Sequence, residues 1–235
     1  MMFCLMFAKV AKKNEIVHLF CQKSVILHRF SYHTTLQMAQ KTRKIAVFDF
    51  DGTLTTKDTL LLFIRFAVGT RRFITGFLLF SPLIVLMKLR LYDNSLCKER
   101  LFSWFFRGMA HSEFAELGRR FAGRVTAVAR TETTAALARH RQEGAAVYVI
   151  SASIEEWVRP YCELLGVKEV LATQVEVDAD GQLTGRFATP NCYGAEKVKR
   201  LLAVEPDRDS YHLTAYGDSN GDAEMFAMAD ESVRV

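Results

Sequence analysis

The chain has 235 residues, half of them hydrophobic, which is enough to build a sizeable core as one large domain or as a core with a smaller insertion. Its five cysteines, Cys4, Cys21, Cys97, Cys162 and Cys192, are odd in number and show no CxxC pair or Cys/His spacing. That excludes a disulfide framework and a zinc site, and implies reduced thiols in a reducing compartment.

The formal charge of +5 is unevenly spread. Residues 1–44 carry eight Lys/Arg against Glu15 alone, and residues 62–110 carry eight against Asp93 and Glu99. The rest is net acidic, which suggests an anionic partner met by the second basic segment. No aromatic-interleaved basic strand or other nucleic-acid module accompanies the charge, so no nucleic-acid partner is expected.

Residues 1–43 show no helical or alternating period and no secretory pattern of apolar core and small-residue cleavage site. Their basic, acid-poor composition also suits a mitochondrial presequence. The favoured expectation is a poorly defined extension or a start-site artefact, with Met38 as the natural first residue.

Lys44–Phe50 reads as a short apolar strand running into "DFDGT", with Asp49 and Asp51 at its end. From about residue 58 to 129 the chain is rich in Phe, Leu and Arg and reads mostly as helix. Within it, Phe73–Met87 holds fifteen uncharged residues bracketed by Arg71, Arg72, Lys88 and Arg90. As a helix this is about 22 Å long, short of the roughly 30 Å of a bilayer core. Pro82 is expected to kink or break it, so an interfacial or re-entrant helical hairpin with its basic ends on anionic headgroups fits better than a span. Burial against partner helices is the competing expectation.

Thr131–Glu143 reads as a helix stopped by Gly144, and Ala145–Ile150 as a buried strand. A capping box at Ser153–Glu156 predicts a helix from there to Leu165. Val170–Val177 and Leu183–Ala188 flank "DADGQ" as a hairpin. A helix follows over Gly194–Ala203, then a strand over His212–Tyr216, then "GDSNGD" and a helix over Ala223–Ala229. The final "SVRV" looks like a strand barely begun, which predicts a longer native chain. Alternation of strands and helices predicts an α/β fold, a parallel sheet covered on both faces.

Ligands of such sheets bind beyond the carboxyl ends of the strands, where the polar signals here gather: Asp49 and Asp51, Ser151, and Asp218. Lys197 lies early in a predicted helix. Carboxylates brought together repel unless a cation joins them, which points to an oxygen-liganded divalent ion, most simply Mg²⁺. Residues i and i+2 of a strand share a side, so Asp49 and Asp51 can address one substrate. Asp49 is suited to attack phosphorus, and Asp51 to protonate the leaving oxygen and later deprotonate water. Gly52 permits the turn, while Thr53, Ser151 and Ala152 line the substrate phosphate. Lys197 would neutralise charge, and Asp218 with Asp222 behind it would hold the metal.

Four motifs in order, "DFDGT", "VISAS", "YGAEKVKRL" and "GDSNGD", closely resemble those of the haloacid dehalogenase superfamily of phosphohydrolases over about Lys44 to Val235. The resemblance implies a three-layer, Rossmann-like core (44–57 and 130–235), an inserted helical C1-type cap (58–129), and a phosphatase working through an aspartyl-phosphate on Asp49. It also implies Mg²⁺ held by Asp49, the Asp51 carbonyl and Asp218. An insertion directly after the first motif is similar to the phosphoserine-phosphatase-like subgroup. "SASIEEW" departs from the glycine pair usual after the second-motif serine in phosphoserine phosphatases. With "GAEKV" and an apolar cap, the chain is closer to the branch containing bacterial phosphatidylglycerophosphatase C. That branch implies a phospholipid substrate and a cytoplasmic enzyme at the inner face of the membrane, in peripheral contact with it through the cap. A soluble small-metabolite phosphatase and a non-catalytic membrane-binding protein are the alternatives.

Overall fold

The computed structural model describes residues 43–235; the expectations for the N-terminal stretch lie outside the described residues. Five parallel strands form the central sheet: β1 (Arg43–Phe48), β2 (Ala146–Ile154), β3 (Glu169–Thr173), β6 (Tyr211–Gly217) and β7 (Glu231–Arg234). Their order is β3-β2-β1-β6-β7. The register sets Phe48 beside Val149 and Tyr216, so β1, β2 and β6 deliver their carboxyl ends to one place.

Both faces of the sheet are buried, as the near-continuous apolar strands require. Ile45 and Val47 face one core with Tyr148, Ile150, Leu201, Leu213 and Met225. Ala46 and Phe48 face the other with Val149, Trp157 and Tyr161. The first core is closed by α6 (Ala195–Val204) and α7 (Ala223–Met228), the second by α4 (Thr131–Gln142) and α5 (Glu155–Leu164).

Three helices lie between β1 and β2 in the chain: α1 (Thr59–Lys88), α2 (Asn94–Phe106) and α3 (His111–Val125). The chain leaves and re-enters the sheet side by side. Thr56 N donates to Val128 O (2.8 Å), and Arg130 N to Leu54 O (2.8 Å). An aromatic cluster joins these helices to the sheet layer. Phe63 stacks on Trp157 at 4.4 Å, and Phe106, Phe114 and Phe121 surround Phe63 edge-on or tilted. Gly118 of α3 packs against the Glu156 carbonyl, where a Cβ would sit 2.0 Å from the oxygen. Pro160, lacking an N–H, cannot donate to that carbonyl, which opens room for the approach.

Several boundaries differ from the sequence expectation. Strand β2 runs on to Ile154, four residues past Ile150, and Ser153 is a strand residue rather than a helix cap. The run 170–177 is two strands: β3 joins the main sheet, while β4 (Val175–Val177) pairs antiparallel with β5 (Leu183–Phe187). This hairpin is bonded to the α2–α3 connection through Gly108 N to Leu183 O (2.8 Å) and Leu183 N to Met109 O (2.9 Å). The terminal segment pairs with β6 as the parallel strand β7.

Pro82 does not break α1. A proline there deprives the Leu78 carbonyl of its helical donor, and the Ser81 hydroxyl replaces it at 2.8 Å. The break falls instead at Gly69 (φ 78°, ψ 162°), a conformation open to glycine. The helical hairpin turns at residues 89–93, between α1 and α2. Beyond Gly69, Ile74, Leu78, Val85 and Leu89 are exposed. Their spacing puts them on one face of the helix. By length and composition alone α1 is long and apolar enough to cross a membrane. Arg71 and Arg72 stand just past the break, and one face packs on α2 through Arg72 and Phe80.

Candidate active site

Asp49 follows the last residue of β1, and its N–H donates to Tyr216 O of β6 (2.9 Å). Its buried carboxylate Oδ1 lies 2.7 Å from Lys197 Nζ. Lys197 sits in the first turn of α6 and is itself 2% exposed. The same ammonium donates to Asp222 Oδ1 at 2.6 Å. The other oxygen of Asp222 accepts from Asp218 N (3.2 Å), Ser219 N (3.1 Å) and Ser219 Oγ (3.2 Å). Asp222 therefore fastens the β6–α7 loop to Lys197.

Asp218 stands at the end of β6. Its Oδ1 is buried and has no hydrogen-bond partner among the described residues. Such an orphan is costly unless a ligand satisfies it. One oxygen from each of Asp49, Asp218 and Asp222 lies within 4.8 Å of the others. A compact set of hard oxygen donors with an unsatisfied carboxylate oxygen fits a divalent cation such as Mg²⁺.

The electrostatics agree. Burial pushes the Asp49 carboxyl up to about 7, against the pull of Lys197 and helped by the neighbouring Asp222. Burial and Asp222 also raise Asp218. Burial alone would lower the Lys197 ammonium, but Asp49 and Asp222 outweigh it and hold it above its ordinary value.

Asp51 faces a different environment. Its Oδ1 accepts from Thr59 N (2.7 Å), the first residue of α1, and its Oδ2 from Ser153 Oγ (2.5 Å). Burial raises its carboxyl, with the nearby charge of Asp58 adding to it, while the bonds from Ser153 and Thr59 act against the shift. Its side chain is outside the three-carboxylate cluster. Gly52 turns the chain with φ 80°, and an added Cβ would meet Asp218 Oδ2 at 2.1 Å. The backbone can pass so close to Asp218 only because glycine stands there. Thr53 Oγ1 is buried and unpartnered among the described residues. Ser151 is buried in β2, with its Oγ accepting from Ser153 N (2.9 Å).

A cavity of about 680 Å³ opens over these groups. Asp49, Asp51, Gly52, Ser151, Ala152, Lys197 and Asp218 line its floor. Leu60, Phe77, Ile84, Met87 and Leu101 line the side formed by α1 and α2. Thr53 and Asp222 lie behind the wall rather than on it.

Three further residues hold the site and a fourth lines its cavity; none of them was singled out as a site residue from the sequence. Ser153 and Thr59 orient Asp51. Arg130 Nη2 donates to the Gly52 carbonyl (2.8 Å) and fixes the turn after Asp51. Lys98 of α2 reaches the cavity and donates to the Ala152 carbonyl. The period-2 rule, carried from Ser151 to Ser153, would have placed both serines on one side of β2. Nothing in the local sequence distinguishes Lys98 or Arg130 from the surface cations around them.

The family model described as haloacid dehalogenase-like hydrolase matches residues 46–227. Protein CicA from Caulobacter vibrioides is 33% identical over 192 residues, covering 80% of this chain and 83% of its own. A protein of unknown function from Bordetella pertussis Tohama I superposes with a TM-score of 0.69 at 20% identity, over 83% of this chain and 90% of that one. A phospho-aspartyl intermediate analogue of phosphoserine phosphatase superposes with a TM-score of 0.56 at 20% identity, over 83% and 87% of the two chains. At such identities the two solved structures speak to the fold alone.

Proposed function

This chain belongs to the haloacid dehalogenase-like hydrolases, enzymes of phosphoester hydrolysis, and we propose that it is a Mg²⁺-dependent phosphomonoesterase acting through an aspartyl-phosphate. The observation that carries this reading is the division of labour between two aspartates two residues apart. Asp49 is paired with a buried lysine inside a carboxylate cluster, whereas Asp51 is held away from it by Ser153 and Thr59.

Asp49 attacks the phosphorus, and the bond to the leaving oxygen breaks as Asp51 delivers a proton to it. Asp51, now ionised, takes a proton from water. The water oxygen attacks the aspartyl-phosphate, releasing inorganic phosphate and restoring Asp49. Lys197 neutralises Asp49 and the transferring group. Ser151, Ala152 and Gly52 hold the phosphoryl oxygens through hydroxyl and backbone, and Thr53, expected beside them, stands behind the wall and backs the turn. Asp49 and Asp218, with the Asp51 carbonyl, would hold Mg²⁺, and Asp222 braces them. The ion supplies charge neutralisation for the phosphoryl oxygens.

For the substrate, the reading is a lipid phosphate such as phosphatidylglycerophosphate, met by a cytoplasmic enzyme at the inner face of the membrane. Residues 44–57 and 130–235 would form the catalytic core, and residues 58–129 the cap that meets the lipid. Three features support it. Phe77, Ile84 and Met87 carry an apolar surface from α1 into the cavity. The opposite face of the same helix exposes Leu78, Val85 and Leu89. Between Asp58 and Asp93 the chain holds Arg65, Arg71, Arg72, Lys88 and Arg90 and no acidic residue, a balance suited to anionic headgroups.

A soluble small-metabolite phosphatase is the second reading, favoured by the fold shared with phosphoserine phosphatase. Phosphate release from phosphatidylglycerophosphate in mixed micelles and from phosphoserine, with Mg²⁺ and with Asp49→Asn as the blank, separates them. Preference for the lipid supports the first reading, and preference for phosphoserine replaces it with the second.

A further inference from the structure

Lys57, Lys88 and Lys98 line the cavity and are left unused by the hydrolytic steps above; Lys57 and Lys88 are exposed, and Lys98 alone of the three is half-buried. It differs from Lys197 in one respect that bears on ligands. Lys197 has two carboxylates, at 2.7 and 2.6 Å. Lys98 has two neutral acceptors, the Ala152 carbonyl and Asn191 Oδ1 (3.4 Å). Among the described residues it forms no ion pair. An ammonium carries three donors, so one N–H is left over.

The side chain is half-buried, and burial lowers its pKa against the longer-range charges of Asp51, Asp58 and Asp49 across the cavity. Dipoles alone compensate a desolvated cation poorly, and an anion arriving beside it gains a charge-assisted bond. The position is specific. Ala152 follows Ser151, so the ammonium stands next to the phosphate position without sharing the Asp49–Lys197 pair. It also comes from α2, on the side of the cavity opposite the strand ends.

We propose that Lys98 binds a second anionic group of the substrate, a phosphodiester or a carboxylate a few bonds from the phosphate that is removed. The proposal rests on the phosphomonoesterase reading. It makes the preferred substrate a phosphomonoester with two anionic centres, and makes Lys98 a specificity residue rather than a part of the hydrolytic chemistry.

The test compares wild type with Lys98→Met and Lys98→Arg on four soluble substrates. Deacylated phosphatidylglycerophosphate carries a phosphodiester, and phosphoserine a carboxylate. p-Nitrophenyl phosphate and glycerol 3-phosphate carry no second anion. Lys98→Met is expected to lose about 10- to 100-fold in kcat/KM on whichever of the first two the wild type prefers, mostly through KM. The loss on the last two stays within about threefold, and Lys98→Arg recovers most of the activity. The preferred member of the first pair identifies the source of the anion. Equal losses on all four substrates overturn the proposal and reduce Lys98 to a tie between α2 and β2. No loss on any substrate overturns it as well. If Lys98→Met is unstable, Lys98→Gln keeps a donor for the Ala152 carbonyl without the charge and carries the same comparison. A wild type inactive on all four, including p-nitrophenyl phosphate, defeats the phosphatase reading itself, an outcome distinct from the loss of selectivity.

Discussion

Gly52→Ala is expected to disable the site by two separable effects. The first is local: φ at Gly52 is 80°, and an L-residue in that region costs about 1–2 kcal/mol. The second is a collision. The new Cβ would lie 2.1 Å from Asp218 Oδ2, 2.4 Å from Cγ and 2.8 Å from Oδ1. The whole carboxylate must retreat by about 1 Å, a displacement of the size that costs about 100-fold in rate at a reacting centre. Gly181→Ala is the matched control, because Gly181 also has a positive φ (77°) but nothing within 4 Å of the added Cβ. Urea unfolding should show a backbone penalty of about 1–2 kcal/mol in both variants. Phosphate release should fall about 100-fold in Gly52→Ala and stay near wild type in Gly181→Ala. Gly52→Ala with normal turnover and normal Mg²⁺ dependence would refute the claim that Asp218 sits against this turn.

Other outcomes follow from the same geometry. In the metal-free protein the Asp49 carboxyl is raised to about 7 chiefly by burial. Between its ordinary range and that value the folded state holds a proton that the unfolded state has released. Stability should therefore fall as pH rises from about 4 to about 7, and a cation must displace that proton to bind. The rise in Tm on adding Mg²⁺ should grow as pH climbs through 7; a rise independent of pH would contradict the raised carboxyl. Lys197→Met leaves Asp49 and Asp222 buried without their common partner and should cost about 3–5 kcal/mol in urea unfolding. A loss below about 1 kcal/mol would mean that the pair is solvated. Leu78→Asp and Val85→Asp should abolish co-sedimentation with vesicles rich in anionic lipid and leave p-nitrophenyl phosphate turnover intact. Wild type that fails to sediment with such vesicles removes the membrane-facing role of α1.

The site was legible in the sequence where chemistry demands a residue type at a strand end. Asp49, Ser151 and Asp218 each follow or close a run of apolar residues long enough to be a buried strand, and the structure puts β1, β2 and β6 side by side. The sheet followed from the same runs. Ser153 was misplaced because Ser-x-x-Glu also spells a capping box; the strand continues instead, since Ile154 is fully buried and the Ser153 hydroxyl has Asp51 to bond. Pro82 signalled a break that the Ser81 hydroxyl repairs, while Gly69 supplied the break that a lone glycine in an apolar run does not announce. Lys98 and Arg130 gain their meaning from contacts 54 and 78 residues away, a separation that no local pattern encodes. The β4–β5 hairpin was visible as a hairpin, but its bonding to the α2–α3 connection is a tertiary fact.

The central claim is that Asp49 becomes covalently phosphorylated and is regenerated by water. Turnover of p-nitrophenyl phosphate in ¹⁸O-labelled water with Mg²⁺, stopped by rapid acid quench and followed by mass spectrometry of the phosphate and of the peptide containing Asp49, tests it directly. Water attacks phosphorus in the second step, so the first phosphate released carries the solvent label once and the Asp49 carboxylate keeps its own oxygens. Trapping the phosphorylated chain by rapid acid quench at high substrate concentration should add one phosphate to that peptide, and none to Asp49→Asn. An Asp49 peptide without the added phosphate after acid quench of an enzyme that is turning over, or full activity in Asp49→Asn, would contradict the account.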